Sequence, residues 1–178
     1  MGLPTSLDGL TEVNVRGVAG FGWGRRGAEP NGNTIAKFYD AMVANPFIKT
    51  VSFQHVPLSA SLYMRLVTAL NHANNRTETV IIHGANLHAR QVAWLLSGNK
   101  SIKTLDVSLN AVEDEEILIH ALSINTTLET LILNQNRLTQ KSIENLNEFA
   151  ANFRDTPLRI ETENQVPMTE YASLDLNF

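Results

Sequence analysis

The feature that most constrains this chain is a spaced set of residues that occurs twice in register between Asn99 and Leu138. Ile102, Leu105, Val107, Asn110 and Val112 fall at positions 1, 4, 6, 9 and 11 of a frame. Leu128, Leu131, Leu133, Asn136 and Leu138 fill the same positions 26 residues later. The first half of each copy makes a short parallel strand, with positions 4 and 6 pointing inward and positions 3, 5 and 7 outward. An Asn at position 9 suits the bend that follows, because its amide can bond backbone groups left bare where the strand ends.

Weaker copies extend the frame both ways. Ile48, Val51, Phe53, Val56 and Leu58 fill it, as do Thr77, Val80, Ile82, Ala85 and Leu87, with intervals of 29 and then 25 residues. Position 9 is Val56 and Ala85 in those copies, so the Asn bond is missing and the turn must close differently. Degenerate copies at Leu10, Val13, Val15 and Val18, and around Leu158 and Ile160, fit the atypical ends expected of a repeat stack. Helical spacing marks the return arms. They run from an Asn33 or Thr34 cap to Ala44, from about Ser59 to Ala73, from Ala89 to Leu96, from Glu113, and from a Thr139 cap onward.

One passage is irregular. Leu10 to Ile48 takes 38 residues, longer than the other intervals, so a loop is inserted that includes Gly20 to Gly27. With 178 residues, 43% of them hydrophobic, a single domain over 1–178 is expected. It divides into a cap strand and Gly-rich loop at 1–32, repeats at 33–165 and a tail at 166–178. A net charge of −4 argues against a nucleic-acid partner, and the absence of cysteine removes disulfides and thiol chemistry. Met1 to Leu10 carries no basic segment or apolar run, and no apolar stretch approaches the roughly 18 residues of a membrane span. A cytoplasmic monomer with no cofactor is the resulting expectation. The N-x-S/T triplets at Asn75, Asn99 and Asn125 read as chance in an Asn-rich chain.

The stretches beginning Asn99-Lys-Ser-Ile and Asn125-Thr-Thr-Leu, with the shorter Asn45-Pro-Phe-Ile, resemble leucine-rich repeats of the ribonuclease-inhibitor type over about residues 33–165. That resemblance implies an α/β fold, a right-handed curved solenoid of about six strand–helix units with an inner parallel sheet and outer helices. It also implies a non-enzymatic module that binds a protein partner. In size the stack is similar to the tropomodulin C-terminal domain, which would imply capping of actin filaments, and also to short bacterial effector repeats that act in a host cell. The chain departs from tropomodulin in lacking the helical N-terminal half, and its tail does not read as that family's terminal helix.

The rival reading is an enzyme, nucleotide-linked or metal-dependent. Gly22-x-Gly24-x-x-Gly27 has the spacing of a dinucleotide-binding turn, but the helix begins about seven residues too late to receive a pyrophosphate. His55 and His83 fall on adjacent strands, yet the frame fixes no third metal ligand. Asp106 finds no His or Ser at a matching position of a neighbouring strand, so no catalytic triad is read. Glu113 to Glu116 read as a solvated helix start.

The outward columns are more informative. Position 3 is Thr50, Thr79, Thr104 and Thr130 in successive copies, and position 2 alternates Lys49, Glu78, Lys103, Glu129. Position 5 reads Asn14, Ser52, Ile81, Asp106, Ile132 and Arg159; position 7 reads Arg16, Gln54, His83, Ser108, Asn134 and Glu161. Ile81 and Ile132, flanking Asp106, are aliphatics that the stack itself does not bury, so they mark a contact patch. The expected partner-binding set is therefore Ile81, His83, Asp106, Ser108, Ile132, Asn134 and Arg159. Trp23, with Phe21, Arg25 and Arg26, forms a competing surface in the inserted loop.

Overall fold

The computed structural model describes residues 11–16, 32–56, 58–152 and 156–166, those at 16 and 32–36 by backbone alone. Strands and helices alternate throughout: β1 (Glu12–Arg16), α1 (Gly32–Ala44), β2 (Thr50–Gln54), α2 (Ala60–Leu70), β3 (Thr79–His83) and α3 (Ala89–Gly98). They continue as β4 (Thr104–Asp106), α4 (Glu115–Ile124), β5 (Thr130–Ile132), α5 (Gln140–Asn152) and β6 (Arg159–Glu161). The six strands form one open parallel sheet whose spatial order is the chain order. The fold is α/β.

Strand pairing follows the sequence frame. Val13, Val51, Val80, Leu105 and Leu131, all at position 4, are successive partners across five strands. Positions 4 and 6 face the apolar sides of the helices, and their side chains merge into one hydrophobic cluster with Leu66, Leu70, Leu96, Leu122 and Leu146. Although β4 and β5 are only three residues long, the ladder runs on past them. Val107 N donates to Ile132 O at 2.9 Å and Leu133 N to Glu161 O at 2.7 Å.

The last copy is phased differently from the sequence reading. Ile160 is the partner of Leu131, so it stands at position 4; Arg159 lies opposite Thr130 and Glu161 opposite Ile132. Arg159 therefore belongs to position 3 and Glu161 to position 5. The alternation Leu158, Ile160 is satisfied equally by two phases two residues apart, because a slip of two keeps every side chain on its own face.

The bends are built from side chains that reach across units. Asn110 Oδ1 accepts from Ala85 N and Leu87 N, both at 3.0 Å, while its Nδ2 donates to Ile82 O at 2.6 Å. Asn136 repeats the arrangement one unit later, accepting from Val112 N at 3.0 Å and donating to Val107 O at 3.0 Å. Corrected phasing puts Gln165 at position 9 of the last unit, and it does the same again. Its Oε1 accepts from Leu138 N at 3.1 Å and its Nε2 donates to Leu133 O at 2.8 Å. Each amide thus closes the bend of the unit before it.

Position 8, immediately ahead, is left-handed in five units: His55, Gly84, Leu109, Gln135 and Asn164 have φ between 54° and 62°. Only one of these is glycine, so four L-residues hold a conformation that costs roughly 1–2 kcal/mol each. At the opposite edge, the asparagines of the N-x-S/T triplets are not incidental. Asn99 Oδ1 accepts from Ser101 N and Ile102 N, and its Nδ2 donates to Leu70 O in the previous helix. Asn125 does likewise with Thr127 N, Leu128 N and Leu96 O. Asn75 and Asn45 accept from the backbone two residues on.

Three acids at the start of α4 are also committed rather than merely solvated. Glu113 pairs with His88 Nδ1 at 2.9 Å, and Asp114 caps the helix by accepting from Ile117 N. Glu115 accepts from Ser142 Oγ and Asn145 Nδ2 on α5. Burial tends to raise the Glu115 pKa, and these hydrogen bonds outweigh it and lower the value.

Four variants have defined outcomes. Leu131→Ala empties a fully buried site and should cost about 2–5 kcal/mol, and Asn136→Ala about 1–3 kcal/mol for the backbone groups it leaves bare, both read by equilibrium denaturation. At position 8, Gln135→Gly should be neutral or stabilising, since glycine accepts the left-handed backbone freely. Gly84→Ala should destabilise, because its Cβ would lie 2.6 Å from His55 Nδ1 as well as at φ +62°. Equal thermal midpoints for these two variants would refute the strain argument.

Candidate functional site

Of the outward columns, three adjacent strands carry the predicted residues. The pairing sets Ile81, Asp106 and Ile132 side by side in one row across β3, β4 and β5. Parallel strands about 4.8 Å apart bring such neighbours into contact. Both isoleucines are consequently half-buried, less open than their outward position alone suggested. Ser52, next in the row, is buried, and its hydroxyl has no hydrogen-bond partner.

Asp106 has partners away from its own position of the frame. His83 Nε2 lies 2.9 Å from Asp106 Oδ2, with side chains only 22% and 18% exposed. The approach is at ion-pair distance, but Nε2 lacks the alignment of a directed hydrogen bond. Ser108 closes the other side: its Oγ donates to Asp106 Oδ1 at 2.6 Å and its N to the same oxygen at 3.0 Å. His83 is at position 7 and Asp106 at position 5, so equal positions do not pair them. Such diagonal neighbours are still within reach of long side chains. Burial pulls the Asp106 pKa upward, but the contacts from His83 and Ser108 prevail and hold it below the usual aspartate value.

The order of the three groups decides what they can do. In a nucleophilic triad the imidazole stands between the carboxylate and the hydroxyl, so that it can take the hydroxyl proton. Here the carboxylate stands in the middle and the Ser108 hydroxyl donates to it. The arrangement fixes an anion within an apolar row. It does not activate a nucleophile.

The remaining predicted residues disperse. Asn134 Oδ1 accepts from Glu163 N at 2.6 Å, which ties the row to the last unit. Arg159 is shifted to position 3, where its Nη2 lies 3.0 Å from Glu161 Oε1. Trp23 and the Gly22–Gly27 loop lie outside the described residues. His55 N donates to His83 O, and the His55 imidazole rests over Gly84. Among the described residues no three His, Asp or Glu side chains gather into a metal-binding group. None of the described helices is long and apolar enough to cross a membrane. Sequence reasoning missed Leu109, an exposed aliphatic beside Ser108; its left-handed backbone turns it outward, and nothing in a Leu signals that conformation.

The sequence matches no protein-family model, and no curated protein is significantly similar to it.

A carboxyl whose folded pKa is depressed contributes stability above its unfolded pKa and loses it as pH falls through the folded value. Asp106→Asn should therefore lower the unfolding midpoint near neutrality. The gap to the native chain should close as pH falls below about 4, through the depressed folded value, as Asp106 itself protonates. A gap that stays constant across that range would mean that His83 and Ser108 do not favour the charged form.

Proposed function

We propose that this chain is a right-handed leucine-rich-repeat solenoid acting as a non-enzymatic interaction module in the cytoplasm. It binds a protein partner through the outward face of its sheet. The observation that carries this reading is the row Ile81, Asp106, Ile132, in which a held carboxylate separates two half-buried aliphatics. His83, Ser108 and Asn134 border the row at position 7, and Leu109 extends its apolar area. Apolar anchors around a fixed polar group are the composition of a protein interface core. A charged polymer would call instead for a run of like charges. Strands that place one residue of each unit side by side give a continuous surface suited to that role.

The test compares captured partners for the native chain, Ile81→Glu, Ile132→Glu and Trp23→Ala in the same lysate. Both isoleucines lie outside the fully buried core, so their variants should keep the native circular dichroism spectrum and a similar unfolding midpoint. Each should lose the captured protein by about tenfold or more, while Trp23→Ala retains it. Loss with Trp23→Ala alone would place the contact on the N-terminal loop and overturn the proposed face.

A further inference from the structure

The Asp106 carboxylate is filled on one side only. Its Oδ1 accepts twice from Ser108, from Oγ at 2.6 Å and from N at 3.0 Å. Its Oδ2 has the His83 imidazole at 2.9 Å, but Nε2 comes in out of line for a directed hydrogen bond. An ionised carboxylate offers about four acceptor sites. Oδ2 therefore keeps capacity for a donor, on a side chain that is 18% exposed. Ile81 and Ile132 stand on either side in strict register, so the three side chains form one row about 10 Å long. A single incoming side chain and its neighbours can cover a row of that length.

The charges around the row have one sign in excess. At positions 3, 5 and 7 of β3 to β6 the acids are Asp106, Glu161 and Glu163, and the cation is Arg159, beside the His83 imidazole. Arg159 is committed to Glu161 at 3.0 Å and so does not balance Asp106. On the other flank, β2 brings Thr50, Ser52 and Gln54 to the same face, none of them charged. The face thus calls for a cation, and the aliphatics beside Asp106 call for apolar groups next to it.

We propose, on the reading of the sheet face given above, that Asp106 receives an arginine of the protein partner, flanked in the partner's chain by aliphatic residues. The guanidinium donates to Asp106 Oδ2, a charge-assisted bond of the strong class. The aliphatic neighbours lie on Ile81 and Ile132, with Leu109 beyond Ser108. Arginine fits this row better than lysine, because a guanidinium is more weakly hydrated and loses less on entering half-buried surroundings. Packing of aliphatic groups around the pair excludes water from it. Glu161 and Glu163 add a field that draws in a basic segment and turns away an acidic one.

Panning a random peptide library on phage against the full chain tests this. Enriched peptides should carry an arginine beside aliphatic residues. In a synthetic copy of one, replacing that arginine by alanine should weaken binding about tenfold or more, and replacing it by lysine about threefold. The alanine peptide meets the unaltered chain, so the arginine is tested with no change in folding. Asp106→Asn, held well below its unfolding midpoint, should weaken the original peptide about tenfold or more. Glu148→Gln, exposed on α5, should leave it unchanged. The arginine is overturned, with the face still standing, if peptides lost on Ile132→Glu carry no arginine or bind equally well with alanine in its place. It is overturned as well if Asp106→Asn binds them like the native chain, or if no peptide is enriched. Peptides that bind Ile81→Glu and Ile132→Glu as tightly as the native chain place the contact elsewhere and overturn the face itself.

Discussion

A bend in this protein is completed by the unit that follows it. Backbone groups freed at the ends of β3, β4 and β5 cannot all bond within their own unit, and water is excluded by the apolar cluster beneath them. Asn110, Asn136 and Gln165 supply the missing donors and acceptors from the neighbouring unit. A buried backbone group without a partner costs as much as a lost hydrogen bond, so the stacking of units is as necessary to the bends as it is to the core. The ladder of amides also closes the bends in which Leu109 and Gln135 hold the left-handed conformation at position 8. Packing and hydrogen bonding therefore specify the same register.

Much of this was legible in the residues themselves. Positions 4 and 6 are chosen by burial, which tolerates only apolar side chains, so five of the six strands could be phased from Val, Phe, Ile and Leu alone. Asn at position 9 was legible because its side chain has one acceptor and two donors at the distance the bend requires. Gln165 was hidden by its different length, and with it the phase of β6, since the period-two pattern cannot distinguish a slip of two. The asparagines ahead of the strands looked like chance sequons because their work is a bond to a helix about 29 residues away, as at Asn99 and Leu70.

The outward face was read less completely, for a different reason. A column compares residues at equal positions, but His83 and Asp106 meet on the diagonal, and that contact depends on side-chain reach more than on register. The open side of the Asp106 carboxylate was likewise not visible in the sequence. It depends on the angle at which His83 comes in, and an acceptor with room for a donor can be recognised only once its surroundings are known.

The direction of the amide ladder gives the chain a mechanical polarity. If the last unit is peeled away, Leu138 N loses its Gln165 partner, whereas Leu133 O keeps the Asn136 amide as a donor. If the first units are peeled away instead, the ladder ends on a side-chain amide such as that of Asn110, which water can hydrate at little cost. The two ends are thus unequal under tension or protease attack: one frays into an unsatisfied edge, the other into a wettable one.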